Sequence, residues 1–448
     1  MLIIVLWICV GLVSIALYFA NSMTYELRAS DNRVSGLITD QAIEGASRYV
    51  GNVLANYATN GNMPDLTQYS AEAVELGDAR FWIIGRDPSA DPTTAEPKFG
   101  LVDEGSKLNL NSADTNTLSY LPGMSLDFAN AIIDWRNTND TGIISYGNAG
   151  YEAKHSPFET VDEVRMVQGA DMDALVGDDH NRNGVFDADE KDSTGQNDLG
   201  VLDYLTIYTR EPNFLPDGTS LTNVNTAASF RGLLNTQFGS GRATTIYNTL
   251  FPPTITGGGG GGRGGGGGTG PSTTTYASLL QMYVRCTTSS AMSEDEFNQI
   301  YSLLTVTNSS YIRGRVNVNT ASSEVLNALF MGLNIDQGTA SSAADALVTY
   351  RTQNPGNLTS ITWVVDCLGN TSPVLRALAT HDYITTHTYQ FTADIAAVGP
   401  FGRGYRRVKF IFDISDGTPK VIYRQDLSRL GWALGDKARE TWVAKVTQ

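Results

Sequence analysis

From Asp178 to Glu190 the chain reads DDHNRNGVFDADE. Counted from Asp179, oxygen-bearing side chains fall at loop positions 1, 3, 5, 9 and 12: Asp179, Asn181, Asn183, Asp187 and Glu190. Gly184 stands at position 6, where such a loop turns sharply. Val185 stands at position 7, where the backbone carbonyl is the ligand. This is the spacing of an EF-hand Ca2+ loop. Ca2+ takes about six to eight oxygens, a number reached here when Glu190 binds through both of its own. The preceding GADMDALVGD is short for an entering helix, so the pattern points to a calcium loop outside a full EF-hand pair. An acidic, solvated loop is the competing reading. An ion held here would be structural, because extracytoplasmic calcium levels suit weak, rigidifying sites.

Catalytic patterns are missing. The four histidines (155, 180, 381 and 387) form no zinc-type cluster, and neither a nucleophile elbow nor a P-loop occurs. The run GGGGGGRGGGGG at 257–268 contains GxGxxG matches, but it neither follows a strand nor opens a helix. It reads as a flexible excursion. Three cysteines are too few for a disulfide framework. Cys9 lies in an apolar run, and Cys286 and Cys367 are either a pair or two buried thiols. The sequence therefore reads as a non-enzyme.

A second pattern is repeated. KLNLNSADTNTLSYLPGM begins at Lys107, RVNVNTASSEVLNALFMGL at Arg315, and a shorter echo, LTNVNTAASFRGLL, at Leu221. Asn109 and Asn111 align with Asn317 and Asn319, and Trp135-Arg136 with Tyr350-Arg351. The two long copies imply a duplicated pair of helical hairpins, 109–169 and 317–369. Asn, Ser and Thr accept backbone N–H bonds at helix starts and in tight turns, so NLNSAD and NVNTAS should cap the helices after them. The phrase also resembles the opening of helix-hairpin-helix modules, which often grip nucleic-acid backbone. Here the hairpin LPGMSLDF lacks a second Gly and carries Asp127. The net charge is −16, and no basic run exceeds RGYRR at 403–407. Binding to phosphates needs a local excess of Lys and Arg, so nucleic acid is not expected as a partner.

These features hang on a distinctive frame. The first 25 residues carry no charge, and MLIIVLWICVGLVSIALYFA is almost continuously apolar. Twenty such residues make a helix of about 30 Å, the thickness of a bilayer's hydrocarbon. No Pro interrupts residues 21–58, and Val34, Leu37, Ile38, Ala42, Ala46, Tyr49, Val50, Val53 and Tyr57 recur at helical steps. One helix of about 58 residues is expected. RFWIIG at 80–85 and KFGLVDEGSK at 98–107 read as strands. The helical block comes next, with Ser293 and Glu296 at capping-box spacing. TYQFTADIAAV, RRVKFIFDIS and PKVIYRQDL then read as an antiparallel meander at the C-terminus.

The N-terminal helix, GLVDEGSKLNLNSA, AIIDWRNTND, SPFETVDEVRMVQG and the closing YRQDLSRLGWALG together resemble minor pseudopilin K of type II secretion systems, the general secretion pathway protein K family. The resemblance implies an α+β fold. A long pilin-like N-terminal helix packs on a small antiparallel sheet, with a large helical insertion carrying the duplicated units. Its parts would be a transmembrane segment 1–22, an amphipathic continuation 23–60 and the start of the sheet at 61–108. The inserted domain would span 109–385 with a Gly-rich linker at 257–270, and the completing strands 386–448. The resemblance further implies a non-catalytic role at the pseudopilus tip in the inner membrane, with the globular part periplasmic. Minor pseudopilins I and J and the major pseudopilin are the implied partners. Family members are cut after a Gly and methylated at the new N-terminus, which places Met1 at a processed end. The fifth residue is Val5 where most pilins have Glu, a departure that resembles this member. A subunit without that carboxylate cannot satisfy an amine above it, and a bulky insertion blocks further stacking. The family is also held to bind calcium, although the Asp179–Glu190 assignment rests on spacing alone. The alternative resemblance is to a membrane-anchored helix-hairpin-helix DNA receptor of the competence type.

Overall fold

The computed structural model describes residues 2–58, 61–86, 93, 96–139, 146, 150–190, 198–255, 269–270 and 272–438. Met1 and nearly all of the 257–270 segment lie outside these residues. The chain is α+β, with a long N-terminal helix on an antiparallel sheet and a mostly helical head. Helix α1, Leu2–Ala55, is continuous over 54 residues. Its first part is apolar and has no burial within the chain. Burial begins at Ser35 and continues through Thr39, Ala42, Ile43, Ala46, Val50, Val53 and Leu54. Val34 and Leu37, expected on that buried face, are exposed. They lie to one side of the narrow stripe that meets the sheet.

The principal sheet has six strands: β1 Val74–Leu76, β2 Ala79–Ile84, β3 Val102–Asp103, β4 Gln390–Val398, β5 Tyr405–Asp413 and β6 Lys420–Asp426. Their order is β1-β2-β4-β5-β6, with β3 also pairing β4, and every pairing is antiparallel. The three C-terminal strands thus join the two expected near residues 80–103, although within 98–107 the pairing is confined to Val102–Asp103 and a bridge from Phe99 to Ile84. All nine residues of β4 are buried. Phe391, Ala393, Ile395 and Ala397 face α1 together with Phe81, Ile83, Val408, Phe410 and Phe412. The alternating residues meet the opposite side, where Trp82, Ile84, Ala396 and Val398 pack against Ala433 and Leu434. A central strand covered on both faces loses the polar alternation of a half-exposed one.

Between β3 and β4 the chain builds the head around a contiguous apolar core running from Leu108 to Ile384. Ser125 caps the helix Leu126–Arg136 by accepting from Phe128 N at 3.1 Å. Ser293 and Glu296 form the expected capping box on Glu294–Tyr301. That helix stops before Leu304–Thr305, which form a short strand instead. The stretch at 160–169 is a 3-10 helix over Val161–Met166, not an α-helix, and it ends before Gly169 at φ +84°. Cys286 and Cys367 are free thiols, and burial pushes Cys286 up to about 12.

Candidate cation loop and the clamps around it

The asparagine phrase occurs three times as complete geometry. Leu108–Asn109 pairs in parallel with Leu205–Thr206, Thr222–Asn223 with Leu304–Thr305, and Val316–Asn317 with Ile384–Thr385. The short echo at Leu221 thus opens a full unit, and all three units run well past the hairpins that the sequence marks. In each, the first Asn side chain accepts from the amide two residues on: Asn111 N at 2.8 Å, Asn225 N at 2.9 Å and Asn319 N at 3.0 Å. This is the local turn that Asn favours. The second Asn reaches across its unit. Asn111 exchanges two bonds with the backbone of Phe158, and Asn225 does the same with Tyr276. Asn319 donates to Leu358 O and Thr386 O and accepts from Trp363 Nε1. The helix caps belong to the ends of the phrases. Asp114 accepts from Thr117 N at 2.7 Å, and Ser322 from Val325 N at 3.3 Å. The aligned arginines behave alike: Arg136 donates to Leu110 O and Arg351 to Val318 O.

Two buried carboxylates tie these units to the sheet, and sequence reasoning passed over both. Asp103 accepts from Asn317 Nδ2 at 2.8 Å, Thr320 Oγ1 at 2.6 Å, Gly105 N at 2.6 Å and the Thr388 hydroxyl. Burial raises its pKa against the pull of those donors. Glu104 meets Lys107 at 3.0 Å and accepts from the Thr206 and Thr392 hydroxyls. Burial would raise Glu104, but Lys107 and Lys409 hold it down at about 2. The available signal was the adjacent acid pair in VDEGS, directly after an apolar strand.

The Asp179–Glu190 loop follows the short helix Met172–Val176 and its terminal Gly177 at φ +66°. Asp179, Asn181 and Asn183 are buried. Asp179 accepts from Asn183 N at 3.0 Å and Gly184 N at 2.7 Å. Glu190 accepts from Asn181 N at 3.0 Å and Asp187 N at 3.1 Å. Asn181 and Asn183 converge on Asp187 Oδ2 at 2.7 and 3.2 Å, which gathers positions 3, 5 and 9 at one point. The Val185 side chain is buried, and its amide bonds Asn183 Oδ1 at 3.0 Å. The sequence-predicted residues are therefore drawn into one closed loop. Among the described residues no three His, Cys, Asp or Glu side chains are gathered at metal distance. Asp179 and Glu190 spend their carboxylates on the loop's own amides, while two Asn supply the central positions. The donor set is otherwise all oxygen, as a hard cation such as Ca2+ requires. To ligate, the two amides would turn Oδ1 toward the point now met by Nδ2, with the backbone in place. Burial pushes Asp179 up to about 6, against the pull of Arg86. Burial also raises Asp187 and Glu190. A cation at the centre would offset that crowding of carboxylates.

The sheet holds this loop from outside. Arg407 on β5 is fully buried and grips Asp394 of β4 through Nε at 2.9 Å and Nη2 at 2.6 Å. Its guanidinium also donates to Asn181 O and, at 2.8 Å, to Arg182 O. Arg86, just beyond β2, donates to Arg182 O at 3.0 Å and to Asp203 at 3.0 Å. Gly184, at φ +87°, lies so close that a Cβ would come within 2.6 Å of Arg86 Cδ. The basic run RGYRR is thus internally paired, with Arg403 on Asp31, Arg406 on Asp40 and Arg407 on Asp394. Only Arg407 is sealed; Arg403 and Arg406 are paired at the surface.

No protein-family model and no curated protein matches the chain. A search of solved structures finds a likeness to a chain in the crystal structure of the GspK-GspI-GspJ complex from the enterotoxigenic Escherichia coli Type 2 Secretion System. The two are 9% identical, the match covers 90% of this chain and 99% of that one, and the TM-score is 0.40.

Proposed function

We propose that this chain is a minor pseudopilin of the K type, placed at the tip of a type II secretion pseudopilus, where it initiates and caps assembly. The observation that carries this reading is helix α1. Its exposed apolar start, long enough to cross a bilayer, runs without a break into a segment half buried on an antiparallel sheet. One element then serves both as a single-pass inner-membrane anchor and as the spine of the periplasmic fold. The head is inserted between β3 and β4 and meets the sheet through Arg407 of β5, which suits a subunit with nothing stacked above it. The role is assembly, with minor pseudopilins I and J beside it and the major pseudopilin below. In the same reading Asp179, Asn181, Asn183, the Val185 carbonyl, Asp187 and Glu190 hold a structural Ca2+. The net charge of −16 counts against the DNA-receptor alternative.

The test is co-purification of the full-length protein in detergent with the I and J subunits in calcium-containing buffer. A stable three-component complex is expected. Recovery of the chain alone at micromolar concentrations of all three would refute the tip assignment.

A further inference from the structure

We infer that Arg407 on β5 and Arg86 just beyond β2 are positioning residues of the cation loop, so that Ca2+ affinity depends on the sheet and Ca2+ in turn locks the head onto it. This rests on the calcium reading above and concerns residues outside the loop's spacing pattern.

The geometry is specific. The two guanidinium groups converge on consecutive carbonyls at loop positions 3 and 4, Asn181 O and Arg182 O. Arg182 itself adopts φ +56°, a conformation rarely taken by a non-Gly residue. Two donors on its carbonyl fix that peptide, and with it the direction in which Asn181 and Asn183 project. Donors that orient ligand-bearing groups from outside act as an outer shell, whose loss typically weakens a metal site.

Positive groups beside a divalent cation would ordinarily repel it. Here each is offset by its own carboxylate, Arg407 by Asp394 and Arg86 by Asp203. The loop therefore gains charge-assisted donors whose positive charge is offset in part by these carboxylates. The link is reciprocal: if the docked sheet favours the ion, the ion favours docking by the same factor.

Two measurements on the full-length protein in detergent test this. The first is Ca2+ titration calorimetry of wild type, Arg86→Gln, Arg407→Lys and, as a loop control, Asp179→Ala. The second is amide hydrogen exchange in Ca2+ and in chelator. Arg86→Gln should bind Ca2+ about tenfold to a hundredfold more weakly, with exchange in chelator outside 181–187 checking that the variant is folded. In wild type, Ca2+ should slow exchange in 181–187 and also along β5 at 405–413. Wild-type affinity in both arginine variants, or protection confined to the loop, overturns the inference while leaving the calcium reading intact. Should Arg407→Lys misfold, Arg86→Gln decides alone. If the wild type binds no Ca2+ at millimolar concentration, the calcium reading fails and this inference fails with it.

Discussion

The sheet domain and the head are both buried at their centres, but they are held by different means. On the α1 side of the sheet, cohesion comes from continuous apolar surface: Phe391, Ile395, Phe410 and Phe412 against Ile43, Val50 and Leu54. Such contacts are non-directional and scale with area. The head has an apolar core as well, but its register is set by directional bonds from Asn109, Asn223, Asn317 and their second-position partners. One region is specified by pattern and the other by a few side chains at fixed places. Each of the three units is closed by a pair of two-residue strands, so little backbone is paired at each closure and a bond that fixes a peptide carries more of the specification.

The sharpest way to break this contrast is at the seam between the regions. Glu104→Ala leaves Lys107 without its buried partner and removes the acceptor of two hydroxyls from opposite sides of the joint. A loss of about 3–5 kcal/mol is expected, because one member of a buried charge pair is left uncompensated. Chemical denaturation of the full-length protein in detergent should show both regions losing stability together. A loss confined to one region would mean that the seam does not couple them.

Within the head, Asn319→Ala removes three bonds and Asn225→Ala two, both at partly buried amides. Roughly 2–3 kcal/mol and 1–2 kcal/mol are expected, from about 1 kcal/mol per bond plus the cost of groups left unpaired. Differential proteolysis should place both losses in the head, with the sheet domain resistant. Equal and negligible effects would show that apolar packing, not the clamp, sets the head's register.

The smallest expected effect is a dependence on pH. His387 stacks on Tyr301, and burial with the neighbouring Arg315 pushes its pKa down to about 4. The unfolded chain takes up this proton below about 6.5, the folded chain only below about 4, so stability falls as pH drops through that window. Glu211 works in the opposite sense. Burial lifts it to about 7 despite Arg315, with Asp382 adding to the rise, so its contribution weakens as pH climbs from about 4.5 to 7. The histidine part is therefore isolated by difference. Melting of His387→Gln against wild type should recover about 1 kcal/mol between pH 7 and pH 5.5. Parallel pH curves for the two proteins would remove His387 from the account.

How far these features could be read in the sequence follows the same division. Helix α1, β2 and the C-terminal strands announce themselves through long apolar periods, and each is found close to the expected range. The unit opening at Leu221 shows only its first phrase in the sequence, because the Gly-rich run at 257–268 separates Asn225 from its clamp partner Tyr276. Yet the closing phrases are visible once paired: LTIY at 205, LTVT at 304 and ITTH at 384. In the loop, spacing named Asp179, Asn181, Asn183, Asp187 and Glu190 but could not show that Asp179 and Glu190 bond the loop's own amides. Arg407 drew attention only as part of a basic run, since a linear reading cannot separate an exposed cation from one sealed beneath a sheet. Glu104 and Asp103 were hidden for the same reason.

The turn between β4 and β5 has a mechanical consequence. Gly399 and Gly404 sit directly on α1, where a Cβ on Gly404 would come within 2.9 Å of the Ser35 carbonyl. Thr39 Oγ1 closes the contact by donating to Gly404 O at 2.7 Å. Backbone thus meets backbone, as a key seats in the slot of a shaft. Asp31 and Asp40 of α1 add surface ion pairs to Arg403 and Arg406. Such a joint resists rotation far better than a layer of interchangeable side chains does. Twisting α1 against the sheet would have to break these backbone contacts, so the helix and the β4–β5 turn are expected to move together.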